Sequence, residues 1–269
     1  MRIALWNANG PAQHKFELGL FLKQQQIDVM LISETHFTDK NHLKINGYNF
    51  YHTQHPIRKA HGGTGIIIKS GIKHYELPSF QKDYPQVTSV AIEDRHGTIT
   101  TSAVYCTPRH SIAKENFDSI FDALGNRFIA GGDYNAKHIQ WGSRLVTARG
   151  KNLLKRITTN NLNYLTTYEP THWPTDTNKI PDLLDFLITK NISPRYVQVN
   201  SSAELSSDHS PVIATVSSVI IENPPNGLIH NQLTNWQLSR EVFNSSTSAS
   251  ISLKTTEDIE TAIEYLTWA

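Results

Sequence analysis

A single cysteine, Cys106, stands in a chain of 269 residues. That excludes an intrachain disulfide framework and a cysteine-based zinc cluster, and it fits a reducing compartment. No apolar run approaches the roughly 20 residues of a membrane span, so no membrane partner is expected. The apolar stretch in MRIALWNANG is too short for a secretory signal. Walker A and GxGxxG sequences are absent, which leaves triphosphate and dinucleotide binding without support. GxSxG is absent too, and no Cys–His catalytic pattern is evident around Cys106, so nucleophilic serine or cysteine catalysis is disfavoured. The thirteen histidines show no HxxxH spacing; His36, His52, His55, His61, His138 and His172 read as surface or core fillers. Charge of one sign is also lacking. The 25 Lys+Arg against 24 Asp+Glu leave +1, which argues at first against a strongly basic nucleic-acid binder.

What is present is a series of short apolar runs rich in β-branched and aromatic residues, the pattern of buried strands. They are Ile3–Trp6, Val29–Ile32, Gly65–Ile68, Thr88–Ile92, Thr100–Tyr105, Phe128–Ala130, Leu183–Ile188 and Pro211–Val216. Asp94 to Gly97 reads as a hairpin turn, and Gly62-Gly63-Thr64-Gly65 suits a hairpin better than a phosphate cradle. Helical spacing links Phe16, Leu20 and Leu22, then Phe117, Ile120, Phe121 and Leu124, then Leu153, Leu154 and Ile157. Strands mixed with helices and hairpins predict an α/β sandwich rather than an all-parallel doubly wound sheet. The texture changes after Val219, where Asn223-Pro224-Pro225-Asn226-Gly227 breaks any element and a polar, acidic stretch follows. The predicted division is a catalytic domain over 1–219 and a polar acidic linker or stub over 220–269, the latter too short and polar for a core of its own.

Polar residues collect where the strands end. Asn7 and Asn9 follow the first, Glu34 the second, and Asp133 and Asn135 follow Phe128–Ala130 through Gly131-Gly132. Asp185 sits inside an apolar run, and Asp208-His209 precedes the last strand. One acid or amide after a strand is ordinarily turn chemistry, but ligands of open α/β sheets gather at strand ends. Asp185, flanked by Leu183, Leu184, Phe186 and Leu187, should be buried and so must be paired or bind metal. Glu34, Asp133 and Asp208 with Asn7 and Asn135 offer oxygen ligands suited to a hard cation such as Mg²⁺.

WNANG (Trp6–Gly10), SET (Ser33–Thr35), VYCTPRH (Val104–His110), GGDYNAKHIQWGS (Gly131–Ser143), LLDFLIT (Leu183–Thr189) and SSDHSPV (Ser207–Val212) occur in this order. Together they resemble the endonuclease/exonuclease/phosphatase superfamily, whose members include abasic-site endonucleases. ETHFT, HGGTGIIIKSGIKH and NAKHIQWGS narrow the resemblance to the endonuclease domain that begins the reverse-transcriptase protein of jockey-type non-LTR retrotransposons. The resemblance covers about residues 1–218 and touches Leu233–Trp236.

It implies a four-layer α/β sandwich, two mixed β-sheets flanked by helices as in abasic-site endonucleases. It also implies a Mg²⁺-dependent endonuclease, with Mn²⁺ as a substitute, that nicks double-stranded DNA in the nucleus. The 3′-hydroxyl made there would prime copying of the element's RNA by a reverse-transcriptase region missing from this chain. Position by position, Glu34 matches the principal metal carboxylate, with Asn7 beside it and Asp208 a further carboxylate near the metal. Asp133 and Asn135 match the pair that handles water and the scissile phosphate, and Tyr105 the tyrosine on that phosphate. His209 matches the catalytic histidine and Asp185 the acid that orients it. Thr171 corresponds to a phosphate-binding hydroxyl, with Asn9 and Arg109 as further substrate-binding candidates. Whether Asp133 or His209 is the base, and whether one or two metal ions serve, stay open at this point.

The resemblance places a target-selecting hairpin at His172–Pro181, and Arg109, Arg144, Arg149, Lys137 and Lys151 are candidates for DNA phosphates. The competing readings are a phosphatase or other phosphodiesterase of the same fold, an abasic-site repair enzyme, and a non-catalytic or truncated relic of a mobile element. The charge balance also divides. Residues 1–219 carry a net +5 and residues 220–269 a net −4, so the neutral total conceals a moderately basic catalytic part.

Overall fold

The computed structural model describes residues 1–38, 43–57, 59–78, 80–81, 85–94, 97–109, 112–176 and 178–221, with Gln237 and Thr255. By internal contacts the chain divides into Met1–Ile221 and Glu222–Ala269. Apart from Gln237 and Thr255, the second unit, with its predicted polar linker and acidic helical end, lies outside the described residues.

Strands β1 (Arg2–Asn7), β2 (Val29–Ser33), β3 (Tyr48–Thr53) and β4 (Thr64–Lys69) begin the first sheet. The second sheet is built from β5 (His74–Glu76), β6 (Phe80–Gln81), β7 (Gln86–Asp94), β8 (Gly97–Tyr105), β9 (Phe128–Asp133), β10 (Asn163–Leu165) and β11 (Asp185–Lys190). The chain then returns to the first with β12 (Val197–Ser201) and β13 (Val212–Val216). The orders are β12-β13-β1-β2-β4-β3 and β10-β11-β9-β8-β7-β5, with β6 paired to β7. Among the described residues each sheet holds one parallel pair, β1 with β2 and β8 with β9, and the other pairings are antiparallel. A parallel pair needs a crossover, and helices α1 (Lys15–Gln24) and α2 (Lys114–Ala123) supply the two. A third helix, α3 (Ala148–Thr159), follows β9.

Side chains on a strand alternate between faces, and that alternation makes the layers. Ile3 and Leu5 of β1, with Val29 and Leu31 of β2, pack against Val90, Ile99, Ile129 and Leu187 of the second sheet. Ala4, Trp6, Met30 and Ile32, one residue out of phase, pack against Leu18, Phe21 and Leu22 of α1. On the far side, Phe128 and Ala130 meet Phe117, Ile120 and Phe121 of α2 and Leu153 and Ile157 of α3. The four layers are helix, sheet, sheet, helices, as the resemblance implies. Phe121 stacks on Phe128 with centroids 5.7 Å apart, so Phe121→Ala is the change that opens this layer, at about 3–5 kcal/mol.

Three expectations need correction. In α1 the core face is Leu18, Phe21 and Leu22, while Phe16 is 92% and Leu20 56% exposed. The stretch Phe16–Leu22 is apolar on both faces, so spacing alone selected the wrong stripe. The run Leu183–Ile188 enters the sheet only at Asp185, and Leu183 and Leu184 pack before it. The strand expected over Phe128–Ala130 continues through Gly131-Gly132, because β9 runs on to Asp133. At Gly132, φ is +148° and an added Cβ would lie 2.0 Å from the carbonyl oxygen of Val104 on the neighbouring strand. Asp94 and Gly97 pair across the β7–β8 hairpin, but residues 95 and 96 of the predicted turn lie outside the described residues.

Candidate active site

Strand register delivers the polar residues to one end of both sheets. Tyr105 lies opposite Asp133 in the parallel β8–β9 pair, and Asp133 lies opposite Asp185 in the antiparallel β9–β11 pair. Asn7 pairs with Ser33, placing Glu34 directly after β2. Ser33 joins the sheets, since its hydroxyl donates to the carbonyl of Val104 at 3.0 Å and accepts from the backbone N–H of Asp133 at 3.2 Å.

Asn7 is buried between two carboxylates. Its Nδ2 donates to Glu34 Oε1 at 2.9 Å and to Asp133 Oδ2 at 3.1 Å. Asn135, in the left-handed region at φ 45°, donates from its backbone N–H to Asp133 Oδ1 and from Nδ2 to Asp133 Oδ2, both at 2.8 Å. Burial works against the charge of Glu34, but hydrogen bonds from His36, Asn7 and Tyr105 outweigh it and hold the carboxyl below its usual range. Asp133 goes the other way. Burial, then the facing Asp185, then Glu34 push it up to about 8, against the pull of His209 and the Asn135 N–H.

His209 Nδ1 lies 2.7 Å from Asp185 Oδ2, with both groups buried. Burial disfavours the imidazolium, yet the charges of Asp185, Asp133 and Asp208 prevail and raise His209 to about 9. The backbone that carries the ring is held as well. Ser207 Oγ accepts the His209 backbone N–H at 3.0 Å, and the indole of Trp6 donates to Ser207 Oγ at 2.9 Å and to the carbonyl of His209 at 3.1 Å. Burial, with Glu34 and Asp133 close by, raises the Tyr105 hydroxyl pKa, so it remains a donor.

Asp208 lies with His172, whose Nε2 is 3.6 Å from Asp208 Oδ2. The neighbouring His172, with His209 beyond it, outweighs burial and lowers the Asp208 pKa. Among the described residues two groups bring donor atoms within 4.8 Å of one another, as one ion requires: Asp133 with Asp185 and His209, and His172 with Asp208 and His209.

Thr171 departs from the expectation of a phosphate contact. It is fully buried, its hydroxyl donates to Asp185 Oδ2 at 2.8 Å, and it accepts the N–H groups of Leu184 and Asp185, each at 3.0 Å. The hydroxyl is spent holding Asp185 and faces no solvent. Arg149 departs likewise from phosphate binding. Its Nη1 donates to the carbonyls of Cys106, Tyr134 and Asn135, and its Nη2 to those of Thr107 and Pro108. Lys137 pairs with the buried Asp182 at 2.9 Å. Arg109, Arg144, Lys151 and Asn9 are exposed. Two histidines set aside as fillers belong here: His36 Nε2 is 3.3 Å from Glu34 Oε2, and the ring of His172 lies 4.6 Å from that of His209. The available signal was adjacency, two residues after Glu34 and one after Thr171.

Comparison with known proteins gives the family and the fold. Residues 4–209 match the family model described as the Endonuclease/Exonuclease/phosphatase family. The chain is 33% identical over 264 residues, 98% of its length, to an RNA-directed DNA polymerase from mobile element jockey of Drosophila funebris. It is 39% identical over 224 residues, 83% of its length, to the corresponding Drosophila melanogaster protein. These matches span 29% and 24% of those relatives, so the chain covers less than a third of their length. Among solved structures, the endonuclease domain of TRAS1, a telomere-specific non-LTR retrotransposon, superposes with TM-score 0.68 at 20% identity. That match covers 80% of this chain and 97% of the domain. The AP endonuclease LMAP of Leishmania major gives TM-score 0.64 at 14% identity, covering 81% of this chain and 88% of that one. With most of its length matched to the family model and its fold shared with these structures, the chain belongs to the endonuclease/exonuclease/phosphatase family.

Proposed function

We propose that this chain is a divalent-cation-dependent endonuclease that hydrolyses one phosphodiester of double-stranded DNA, leaving 3′-hydroxyl and 5′-phosphate ends. The observation that carries the reading is the Asn7 bridge between Glu34 of one sheet and Asp133 of the other. It fixes an ionised carboxylate beside one poised to take a proton.

The donor set fits a hard cation. Asp133 and Asp185 converge with His209, Asn7 links Asp133 to Glu34, and Asp185 Oδ1 is buried without a hydrogen-bond partner among the described residues. Such surplus negative charge suits Mg²⁺, or Mn²⁺ in its place. Glu34 is the principal ligand in this proposal and Asp208 a second. Asn7 joins them only with its amide reversed, since it now turns N–H bonds to both carboxylates. The bound cation would neutralise the non-bridging phosphate oxygens and the departing 3′ oxygen.

The chain's own groups supply the rest. His209, held as imidazolium by Asp185, donates from Nε2 to a phosphate oxygen, and Tyr105 offers its hydroxyl to the same group. A protonated His209 is no base, which favours Asp133, once a bound cation has displaced its proton, as acceptor of the attacking water's proton. Asn135 and Asn7 orient that carboxylate. Asn9 and the exposed Arg109, Arg144 and Lys151 are placed on the flanking DNA strand.

In the larger protein, the 3′-hydroxyl primes reverse transcription of the element's RNA in the nucleus. Target choice is assigned to His172–Pro181, whose base is closed by the His172–Asp182 backbone pairing beside His209. Trp173 there is 51% exposed and donates its indole N–H to Ser210 Oγ; Thr177 lies outside the described residues. Exchanging the segment and sequencing the nicks should move their positions, and unchanged positions remove it from target choice.

The activity is tested on supercoiled plasmid, with an abasic duplex and inositol phosphates assayed beside it. Open circles that need Mg²⁺ and vanish with chelator support the proposal. Hydrolysis confined to the abasic duplex or to the small phosphates redirects it, and no hydrolysis of any of them points to a relic.

A further inference from the structure

Glu34 and His36 both occupy the left-handed region, at φ 53°. Residues with a Cβ hold that conformation only where their surroundings impose it. Here the constraint comes from a turn in another part of the first sheet. The backbone N–H of Thr35 donates to the carbonyl of Gly63 at 3.3 Å, and that of His36 to the carbonyl of Gly62 at 2.8 Å. The turn is itself left-handed at both glycines, with φ +60° and +83°. It is pinned by the fully buried Gln86, whose Oε1 accepts the Gly63 N–H. Gln86 stands opposite Tyr105 in the β7–β8 pair. A Cβ on Gly63 would lie 2.4 Å from Thr35 Oγ1 and 3.2 Å from the carbonyl of Thr53. Only glycine lets this turn approach so closely.

We propose that Gly62, Gly63 and Gln86 form a clamp that sets the backbone of Glu34–His36 and so aims the Glu34 carboxylate at the cation. They are positioning residues that govern divalent-cation affinity without touching substrate. The proposal rests on Glu34 being a cation ligand. Partners that orient a metal ligand typically govern roughly 10–100-fold in affinity.

The test is Mn²⁺ binding to the purified chain by electron paramagnetic resonance, with thermal melting and the Mg²⁺ dependence of plasmid nicking read beside it. Gly63→Ala should weaken Mn²⁺ binding by roughly 10–100-fold and raise the Mg²⁺ needed for half-maximal nicking, while the rate at saturating Mg²⁺ changes little. Adding Thr35→Ala to Gly63→Ala removes the 2.4 Å contact and should recover part of the affinity, the remainder being held back by the left-handed φ and the Thr53 carbonyl; general destabilisation would give no recovery. Gln86→Leu, which keeps the turn's glycines, should weaken binding in the same sense and decides the matter if Gly63→Ala does not fold. Glu34→Gln separates the two layers of the argument. If it binds Mn²⁺ like wild type, the ligand assignment fails; if it loses Mn²⁺ while folded Gly63→Ala and Gln86→Leu keep wild-type affinity, the clamp is overturned.

Discussion

Asp133 and Asp185 face one another across the β9–β11 pair, and His209 lies within reach of both. Two buried carboxylates side by side are unstable as two anions. The arrangement divides the roles: the His209 imidazolium sits 2.7 Å from Asp185, and Asp133 is left to carry a proton until a cation arrives. Asp185→Asn should return the His209 pKa from about 9 toward or below 6.5, readable by NMR titration of the metal-free protein. Nicking should fall by roughly 10²–10⁴-fold. A His209 that still titrates near 9 in this variant contradicts the assignment.

The pH dependence of stability follows from two of these groups. Asp133 is raised from 3.8 to about 8 and His209 from 6.5 to about 9. Groups raised on folding stabilise below their unfolded values and lose that contribution as pH climbs through the folded ones. The metal-free protein should therefore lose stability from about pH 4 to about pH 9. A cation favours ionised Asp133 and displaces its proton, so the Mn²⁺-induced rise in Tm should grow between about pH 5 and pH 8. A rise that is flat or shrinks over that interval contradicts the proposed placement of the cation.

Arg149 is a structural cation. Arg149→Ala strands buried carbonyls on the two segments that follow β8 and β9, and should cost roughly 2–4 kcal/mol, measured by denaturant unfolding. The salt dependence of DNA binding should not move. Arg144→Ala should do the reverse, with stability unchanged and the slope of log affinity against log salt reduced by about 1.

How much of this was legible in the sequence depends on burial. The central strands are apolar on both faces and stood out; β3, β5, β10 and β12 did not. These four lie at the sheet margins, and segments such as Val197–Ser201, read VQVNS, carry polar residues on exposed faces. Glu34, Asp133, Asp185 and His209 were legible because several such groups fall together at the ends of or inside apolar runs, where any one alone reads as turn chemistry. Thr171 was assigned the wrong partner because a threonine's sequence context does not say which way its hydroxyl points. His36 and His172 were passed over because their partners, Glu34 and Asp208, are brought to them by kinked backbone and strand-end pairing rather than by regular spacing.

Cys106 is fully buried, and burial first, eased by Arg149 and reinforced by Asp133, pushes its thiol up to about 12. The native protein should not react with an aromatic disulfide reagent at pH 8, and should release one thiol equivalent once unfolded. Reaction of the folded chain at the rate of a free thiol contradicts this environment.

The central claim is that Glu34 and Asp133 form one cation-dependent hydrolytic centre. It is tested most directly by Mg²⁺-dependent nicking of supercoiled plasmid with wild type, Glu34→Ala and Asp133→Asn, followed by DNA ligase alone on the products. The account predicts open circles from wild type only, sealed by ligase because the ends are 3′-hydroxyl and 5′-phosphate. Nicking by either variant at the wild-type rate, or wild-type circles that ligase cannot close, would contradict it.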